Sequence, residues 1–476
     1  MKILLVSAEV APFAKAGGLA DFAAGLSKAI RTIGHDIRLV MPLYKIVADQ
    51  DLAMVKEVSL IRVEVADQQE TLSIYSTKLP GSEVIVYFVG NKHFAVRDEL
   101  YAKDGRDYPD NFTAFFLFCQ AALSFLLKIA WLPDIVHCND WPSGLMPLLL
   151  GEYRKKALFQ RTANVYSIHN IVYQGIFPAT KFSAVGLPAE QASFAKIGLE
   201  TADVISTVTP AYAKKIQTKE FGAGLDKILQ KRSTDLFGLV SGIDISVWQP
   251  ATDPLIFRRY SRPTLSLKAK NKLAWQQQEG WQPDESVPLL FFMAGPGEDE
   301  ALALLGEVLT QLLKLTCQII ILGGQNLKGQ VLLRQIKEKY PAQIAFKPNF
   351  NDQLLHQAYA AADVLLLLSQ DEPGSLIQLI GYKYGVIPII YEEGGAIDTV
   401  VDFDQTKGTG TGFILKKYQA SVLLAAVNRA ITAYQDRLLW QKLQARVMEL
   451  DFSWTKSAGE YLSLYLKAFD KRLATK

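Results

Sequence analysis

Short apolar runs alternate with longer segments of helical periodicity along the whole chain. The first half contains these candidate strands: Ile3–Val6, Ile37–Met41, Val84–Val89, Ile135–Cys138, Val165–Ile168, Val204–Val208 and Leu239–Ser241. The second half contains these: Leu289–Met293, Gln318–Leu322, Ile344–Phe346, Val364–Leu368 and Ile387–Ile390. Helical segments lie between them, for example Phe112–Lys128, Glu298–Leu313 and Leu327–Tyr340. This interspersion predicts an α/β protein with parallel sheets.

The length of 476 residues is more than one domain usually needs. A polar, proline-rich stretch from Gln249 to Pro263 is the best candidate for a linker. We therefore predict two doubly wound, Rossmann-like domains, residues 1–248 and 249–453, that face each other across a cleft. In such sheets, ligands bind at the carboxyl ends of the strands.

Composition excludes several classes of function. The net charge is only +3, from 51 basic and 48 acidic residues, so no concentrated basic face is expected for nucleic acid or for a membrane surface. The most hydrophobic stretches, such as Ala121–Ala130, are expected to be too short or too interrupted to span a bilayer, and no secretory leader is expected. Cys119, Cys138 and Cys317 lack the spacing of a metal site or disulfide. We expect a cytoplasmic protein without a metal or cofactor.

A glycine pair follows the first predicted strand, in the segment Lys15-Ala16-Gly17-Gly18-Leu19-Ala20-Asp21. Glycines between a strand and a helix let backbone N–H groups approach an anion at the positive end of the helix. Lys15 adds a cation, and Asp21 adds a carboxylate to the first helical turns. The pattern favours binding of a sugar phosphate or a nucleotide diphosphate. The alternative is a glycine-rich turn with a solvated lysine.

Three further polar residues are placed where a ligand could bind. Asp140 and His169 each follow a predicted strand, so their side chains are expected at a strand end. Glu372 is predicted to open a helix that runs from Pro373 towards Tyr384. Each residue also has an ordinary structural interpretation. His169 could be a satisfied loop histidine, Asp140 could cap the next helix, and Glu372 could be an acidic first turn.

These residues belong to a series of motifs that resembles the bacterial glycogen and starch synthases. The resemblance begins with the segment Ser7–Asp21 and covers nearly the whole chain. The later motifs, in order, are His137–Trp141, Ser167–Asn170, Tyr173–Gly175, Ala202–Pro210, Gln217–Gly222, Gly242–Asp244, Glu372-Pro373, Gly394–Val400 and Asp451–Trp454.

The resemblance implies a fold and a reaction. The fold is the GT-B architecture of two Rossmann-like domains. The first domain lies on the acceptor side and is completed by a returning C-terminal helix, residues 454–476. The second lies on the nucleotide-sugar side. The reaction is transfer of glucose from ADP-glucose to the non-reducing end of an α-1,4-glucan with retention of configuration. The leaving phosphate accepts the proton of the acceptor, and no cofactor takes part.

The resemblance also implies roles for individual residues. The catalytic residues are His169, Asp140 and Glu372, which line the transferred glucose. The residues that bind ADP-glucose are Lys15, Gly17, Gly18, Asp21, Gly374 and Ser375. The carbonyl of His169 stabilises positive charge at the anomeric carbon, and Glu372 holds hydroxyls of the donor sugar.

The chain departs from the family pattern at the donor phosphates. Gly295 and Glu300 stand where the family carries an arginine and a lysine that bind the leaving diphosphate. A charge-assisted hydrogen bond contributes about 1.5–3 kcal/mol, so each lost cation costs roughly ten- to a hundredfold in rate. In the sugar site, Asn139 and Pro142 replace residues that are often histidine.

These departures keep two alternatives to an active synthase open. The first is a catalytically impaired homologue that acts as a glucan-binding or regulatory protein. The second is a transferase with a different nucleotide-sugar donor. A nicotinamide enzyme is disfavoured, because Gly17-Gly18 does not supply the three-glycine dinucleotide fingerprint.

Overall fold

A computed structural model of the protein describes residues 1–65, 68–156, 158–188, 190, 193–295, 299–324, 327–370, 373–374, 376–393 and 395–474. The chain divides into two compact units. The first unit consists of Met1–Gly242 together with Trp454–Lys476, and the second is Ile243–Ser453.

The first unit is built on a sheet in which nine strands of the described chain have the order β11-β10-β9-β8-β1-β2-β5-β4-β3. The strands are β1 (Lys2–Val6), β2 (Asp36–Pro42), β3 (Val55–Val65), β4 (Gln68–Lys78), β5 (Ile85–Gly90), the small hairpin β6 (Ala102–Lys103) and β7 (Arg106–Asp107), β8 (Ile135–Asn139), β9 (Ala163–Ile168), β10 (Val204–Thr207) and β11 (Leu236–Gly238). Strand β1 is central, and Ile3–Val6 are fully buried. Within the nine-stranded sheet all pairs except β3–β4 and β4–β5 are parallel, and β6 and β7 form a separate antiparallel hairpin.

Helices of the first unit pack against this sheet. They are α1 (Gly18–Thr32), α2 (Lys45–Ala48), α3 (Asn111–Lys128), α4 (Met146–Lys155), α5 (Ala179–Ser183), α6 (Phe194–Thr201), α7 (Pro210–Lys215) and α8 (Asp226–Lys231). In α1, the apolar residues Leu19, Phe22, Leu26 and Ile30 recur at helical spacing and are all buried. The helix ends just before Gly34, whose φ of 94° is left-handed and suits glycine.

The second unit is a wholly parallel sheet with the order β14-β13-β12-β15-β16-β17 in the described chain. Its strands are β12 (Leu289–Ala294), β13 (Gln318–Gly323), β14 (Ile344–Lys347), β15 (Val364–Leu367), β16 (Ile387–Tyr391) and β17 (Phe413–Leu415). Its helices are α9 (Lys268–Gln278), α10 (Asp299–Leu312), α11 (Leu327–Lys339), α12 (Asp352–Ala361), α13 (Ile377–Lys383), α14 (Ala420–Gln435) and α15 (Arg437–Glu449).

The last helix, α16 (Trp454–Ala474), packs into the first unit. The ring of Trp454 lies 5.7 Å from that of Phe22 and fills the space above Gly25 of α1. The Ser457 hydroxyl donates to the Val240 carbonyl at 3.0 Å. The C-terminal helix is therefore part of the core behind α1.

Helix α3 is long and apolar enough, by length and composition, to cross a membrane. The expectation that such segments are too short was therefore wrong for Asn111–Lys128. However, 72% of this helix is buried inside the protein. Its phenylalanines, among them Phe112, Phe115 and Phe118, belong to the main core of the first unit. Packing within the unit accounts for its hydropathy.

The predicted α/β class with two doubly wound domains is confirmed, but some elements differ. The strand predicted at Leu239–Ser241 is instead β11, at Leu236–Gly238, because the chain then leaves the sheet to meet α16. The helix predicted from Pro373 begins at Ile377. The hairpin of β3 and β4 was missed, because its apolar residues alternate with polar ones and form no continuous run.

We predict that Gly25→Ala destabilises the first unit. A Cβ atom at position 25 would lie 2.1 Å from Nε1 of Trp454, so the indole or the helix must move. Overpacking of this kind costs about 1–3 kcal/mol of unfolding free energy. Chemical denaturation followed by circular dichroism measures the change.

Gly459→Ala in α16 is the matched control, because a Cβ atom there meets nothing within 4 Å. Alanine in an open helix position should stabilise by up to about 1 kcal/mol. Equal changes in unfolding free energy for the two substitutions would show that the packing of Trp454 does not require a glycine at position 25.

Candidate functional site

The candidate residues of the first unit meet at one edge of its sheet. Strand β1 pairs in parallel with β8, and β8 pairs with β9, so the carboxyl ends of all three lie side by side. The loop from Ser7 to Gly17 follows β1, Asp140 follows β8, and His169 follows β9. The topology therefore brings together three segments that are far apart in sequence.

A buried carboxylate, missed in the sequence analysis, shapes the loop that leads into α1. Glu9 is 4% exposed, and its Oε2 accepts hydrogen bonds from the amides of Ala16 (2.6 Å) and Gly17 (2.8 Å). Its Oε1 accepts a hydrogen bond from the Tyr101 hydroxyl at 2.7 Å. Glu9 thus occupies two amides that the glycine motif was expected to offer to an anion. An acid seven and eight residues before these amides was the available signal.

The start of α1 remains open in front of the two glycines. Ideal Cβ atoms at Gly17 and Gly18 would meet nothing within 4 Å, and neither residue has a left-handed φ. Among the described residues, none accepts a hydrogen bond from the amides of Gly18 or Leu19. Packing and backbone conformation therefore do not explain the glycines, whereas close approach of a ligand would.

Lys15 is held by Asp21 at the same opening. The Lys15 ammonium and Asp21 Oδ2 are 2.7 Å apart, and both side chains are about half exposed. Exposed ion pairs of this kind contribute only about 0–1 kcal/mol, so the lysine can exchange this partner for a stronger anion at little cost. The pair keeps the ammonium beside the start of α1.

Asp140 has an unusual backbone and a buried carboxylate. Its φ is 52°, a left-handed conformation that is uncommon outside glycine. Its side chain does not cap the following 3₁₀ turn, so that interpretation was wrong. Instead, Oδ1 accepts a hydrogen bond from the His169 amide at 2.8 Å. Burial, reinforced by the charge of Glu9, raises the pKa of Asp140 to about 7 against the opposing effect of backbone amides.

His169 is half-buried and held on three sides. Its amide donates to Asp140, its Nε2 lies 3.0 Å from Oδ1 of Asn139, and its ring meets the edge of Phe22 at a centroid distance of 4.5 Å. Burial lowers the pKa of His169 to about 3, so the imidazole is neutral at physiological pH. The structure therefore brings His169, Asp140 and the start of α1 into one cluster.

A second histidine lies behind this cluster and is fully buried. His137 contacts the Tyr465 hydroxyl through Nδ1 at 2.8 Å and the Ser167 hydroxyl through Nε2 at 2.6 Å. Burial, together with the nearby His169, lowers the pKa of His137 to about 3. Ser167 also hydrogen-bonds Ser206. This network ties α16 to the strands that carry the site.

The candidate residues of the second unit are described only in part. Glu372 and Ser375 lie outside the described residues. Gly374 lies in a bend between β15 and α13. Because α13 begins at Ile377, Gly374 precedes the helix.

The positions that depart from the family pattern lie at the carboxyl edge of the second sheet. Gly295 follows β12, and Glu300 lies in the first turn of α10. The Glu300 carboxylate accepts a hydrogen bond at 2.8 Å from Nε2 of Gln370, which follows the neighbouring strand β15. An acid paired with an amide thus occupies the place where the family resemblance implied a lysine.

The structure also reveals a cavity that the sequence analysis missed. It has a volume of about 560 Å³ and lies beside the carboxyl end of β14. Phe350, 40% exposed, lines it together with Asn349, Asn351 and Gln357. An exposed phenylalanine between two asparagines after a strand was the available signal. Its ring can stack on a planar ligand.

Among the described residues, no group of three His, Cys, Asp or Glu side chains is arranged to hold a metal ion. The three cysteines are buried and unpaired.

We predict that Asp140→Asn removes a pH dependence of stability. An aspartate with a folded pKa near 7 binds more protons in the folded than in the unfolded state between about pH 4 and 7, so stability falls as pH rises through this window. Asparagine keeps the oxygen that accepts from His169 but does not ionise. Relative to the variant, the wild type should lose on the order of 1–4 kcal/mol of unfolding free energy between pH 5 and 8. A constant difference in denaturant titrations across this range would contradict the prediction.

Comparison with known proteins reveals two family matches in sequence. Residues 2–231 match the starch synthase catalytic domain, and residues 274–445 match the glycosyl transferases group 1.

Full-length relatives and solved structures agree with these matches. Glycogen synthase 2 of Geobacter sulfurreducens is 39% identical over 484 residues, covering 99% of this chain and all of the relative. Glycogen synthase of Moorella thermoacetica is 39% identical over 491 residues, covering 100% of this chain and 98% of the relative. The catalytic domain of starch synthase IV from Arabidopsis thaliana, bound to ADP and acarbose, superposes with a TM-score of 0.85 at 27% identity, covering 98% and 99%. The chain therefore belongs to the glycogen and starch synthase family of glycosyltransferases.

Proposed function

We propose that this protein transfers glucose from ADP-glucose to the non-reducing end of an α-1,4-glucan with retention of configuration. The bond between the anomeric carbon and the phosphate oxygen breaks, and a bond to the acceptor oxygen forms on the same face. The departing phosphate takes the proton of the acceptor hydroxyl. We also propose that the protein works in the cytoplasm.

The open start of α1 carries this proposal. Ideal Cβ atoms at Gly17 and Gly18 meet nothing within 4 Å in the described part of the chain, and the Lys15 ammonium lies beside this space. A helix N-terminus next to a cation suits a diphosphate. Glu9 of the loop binds the Gly17 amide and raises the pKa of Asp140 by its charge, and Phe22 of α1 touches His169. We assign Lys15, Gly17, Gly18 and Asp21 to the donor and Asp140 and His169 to the transferred glucose.

A neutral His169 suits this role. An oxocarbenium-like centre would be repelled by an imidazolium, whereas a neutral residue offers its backbone carbonyl without that cost. The low pKa of His169 keeps the ring uncharged throughout the physiological range. Asp140, with a pKa near 7, holds the His169 backbone through its amide.

The second unit supports a nucleotide ligand. We propose that Phe350 stacks on the base in the cavity beside β14, since ligands of such sheets bind at the carboxyl edge. We retain Glu372, Gly374 and Ser375 as residues for the donor sugar and phosphate. The ADP held by the Arabidopsis structure is consistent with adenine as the base.

One observation favours a second candidate function. Glu300 and Gln370 place an acid and an amide where a cation was expected, and Gly295 offers no side chain. Such a site stabilises a leaving diphosphate poorly. A homologue that binds glucan with little turnover is therefore the alternative proposal.

The proposal predicts transfer of labelled glucose from ADP-glucose to glycogen. Lys15→Ala should reduce kcat/KM for ADP-glucose roughly ten- to a hundredfold, because it removes a charge-assisted contact to phosphate. Filter capture of labelled glycogen measures the rate. No transfer with glycogen still bound would support the binding-protein alternative instead.

Filling the opening should impair donor binding without unfolding the protein. At Gly18 an ideal Cβ meets nothing within 4 Å among the described residues, so Gly18→Val should retain thermal stability while the KM for ADP-glucose rises at least about tenfold. Gly151→Val in α4 is the control, because its Cβ also meets nothing within 4 Å. If both variants have the same KM for ADP-glucose, the donor does not bind at the start of α1.

Restoring the two cations tests the altered phosphate site. Gly295→Arg combined with Glu300→Lys should raise kcat/KM for ADP-glucose by roughly ten- to a hundredfold for each cation. Glu307→Lys, an exposed change further along α10, is the matched control for Glu300→Lys, because both substitutions make the same change of charge on the same helix. If the double variant and the control behave alike, the diphosphate does not bind beside Gly295 and Glu300.

A further inference from the structure

Asn139 is a fully buried amide at the end of β8, directly before Asp140. Its Nδ2 donates to the Val6 carbonyl at 3.1 Å and to the His137 carbonyl at 3.4 Å. Carbonyl oxygens only accept hydrogen bonds, so the NH₂ group of the amide must face them. The amide oxygen must then face the other way, towards His169.

This orientation decides which nitrogen of His169 carries hydrogen. Oδ1 of Asn139 lies 3.0 Å from Nε2 of His169 and can only accept. Nε2 must therefore be the donor. The low pKa keeps the ring neutral, and a neutral imidazole has one N–H group, so Nδ1 carries a lone pair.

The remaining contacts of His169 leave Nδ1 available. The backbone amide is held by Asp140, and Phe22 packs against the ring. Among the described residues, none hydrogen-bonds Nδ1. Two titratable groups of the described chain interact with His169: Asp140 holds its backbone, and His137 lies behind it with both nitrogens bonded elsewhere.

We propose that Asn139 is a positioning residue that fixes His169 in the Nε2–H tautomer and so presents Nδ1 as a hydrogen-bond acceptor for a sugar hydroxyl. The sugar as ligand rests on the proposed function, whereas the tautomer does not. A histidine at position 139 could donate or accept and would not impose one tautomer. Asn139 thus fixes which nitrogen of His169 donates a hydrogen bond and which one can accept a hydrogen bond from the sugar.

Nitrogen-15 NMR of the full chain labelled at its histidines tests the tautomer without substrate. The chain has only 5 histidines, and His169→Gln identifies the signals of interest. We expect His169 at neutral pH to show a protonated Nε2 and an unprotonated Nδ1. A protonated Nδ1, or an equal mixture of tautomers, would overturn the proposal. Because this spectrum is recorded on the wild type, it tests the proposed tautomer even if variants at Asn139 fail to fold.

Asn139→Leu keeps the approximate volume of the side chain and removes the acceptor. The single-tautomer signature of His169 should give way to a mixture, and kcat/KM should fall roughly two- to tenfold, as for a lost neutral hydrogen bond. Ser143→Ala is the matched control, because its hydroxyl bonds only the backbone carbonyls of Asn139 and Asp140. Ser143→Ala should keep the tautomer. A folded Asn139→Leu protein with the wild-type tautomer would overturn the proposal.

The two proposals fail separately. A wild type with the Nε2–H tautomer that transfers no glucose would contradict the proposed function and still support the role of Asn139. Active enzyme with a protonated Nδ1 would contradict only the role of Asn139.

Discussion

The carboxylate of Glu9 is the contact on which the first unit's site depends. It is buried and bound to the amides of Ala16 and Gly17 and to Tyr101, so the loop after β1 has a fixed path into α1. A buried carboxylate is stable only when hydrogen bonds replace its hydration, and three donors do so here. The fixed path places Lys15 and the glycines in front of the helix and Phe22 against His169. The negative charge also reaches Asp140, where it helps to keep the proton bound near neutral pH.

The site therefore combines groups whose charges are set by burial. His169 and His137 are both neutral because desolvation penalises their cationic forms. Asp140 is partly protonated near neutral pH because desolvation penalises its anionic form. The exposed Lys15 side chain lies at the opening, where an anion can reach it, and the neutral side chains lie further inside. This arrangement suits a ligand that has a phosphate at one end and a sugar at the other.

Sequence alone predicted the fold class because buried parallel strands appear as uninterrupted apolar runs, such as Ile3–Val6 and Leu289–Met293. It failed where burial is one-sided: the β3–β4 hairpin alternates polar and apolar residues and was missed. Motif position singled out Asp140 and His169, and the sheet brings them together, whereas their roles stay predictions. Glu9 and Asn139 were not assigned roles, because their importance comes from hydrogen bonds to segments distant in sequence. The roles of Glu372 and Ser375 remain predictions, because both lie outside the described residues.

Trp454 filling the space above Gly25 has a consequence for synthesis of the chain. The first unit lacks part of its core until the last helix leaves the ribosome, after the whole of Ile243–Ser453. Phe22, which touches His169, packs on that same tryptophan. The second unit can thus complete its fold before the first unit has all of its core. A chain cut short before α16 would still carry Asp140 and His169 but would lack the Trp454 ring that packs on Phe22.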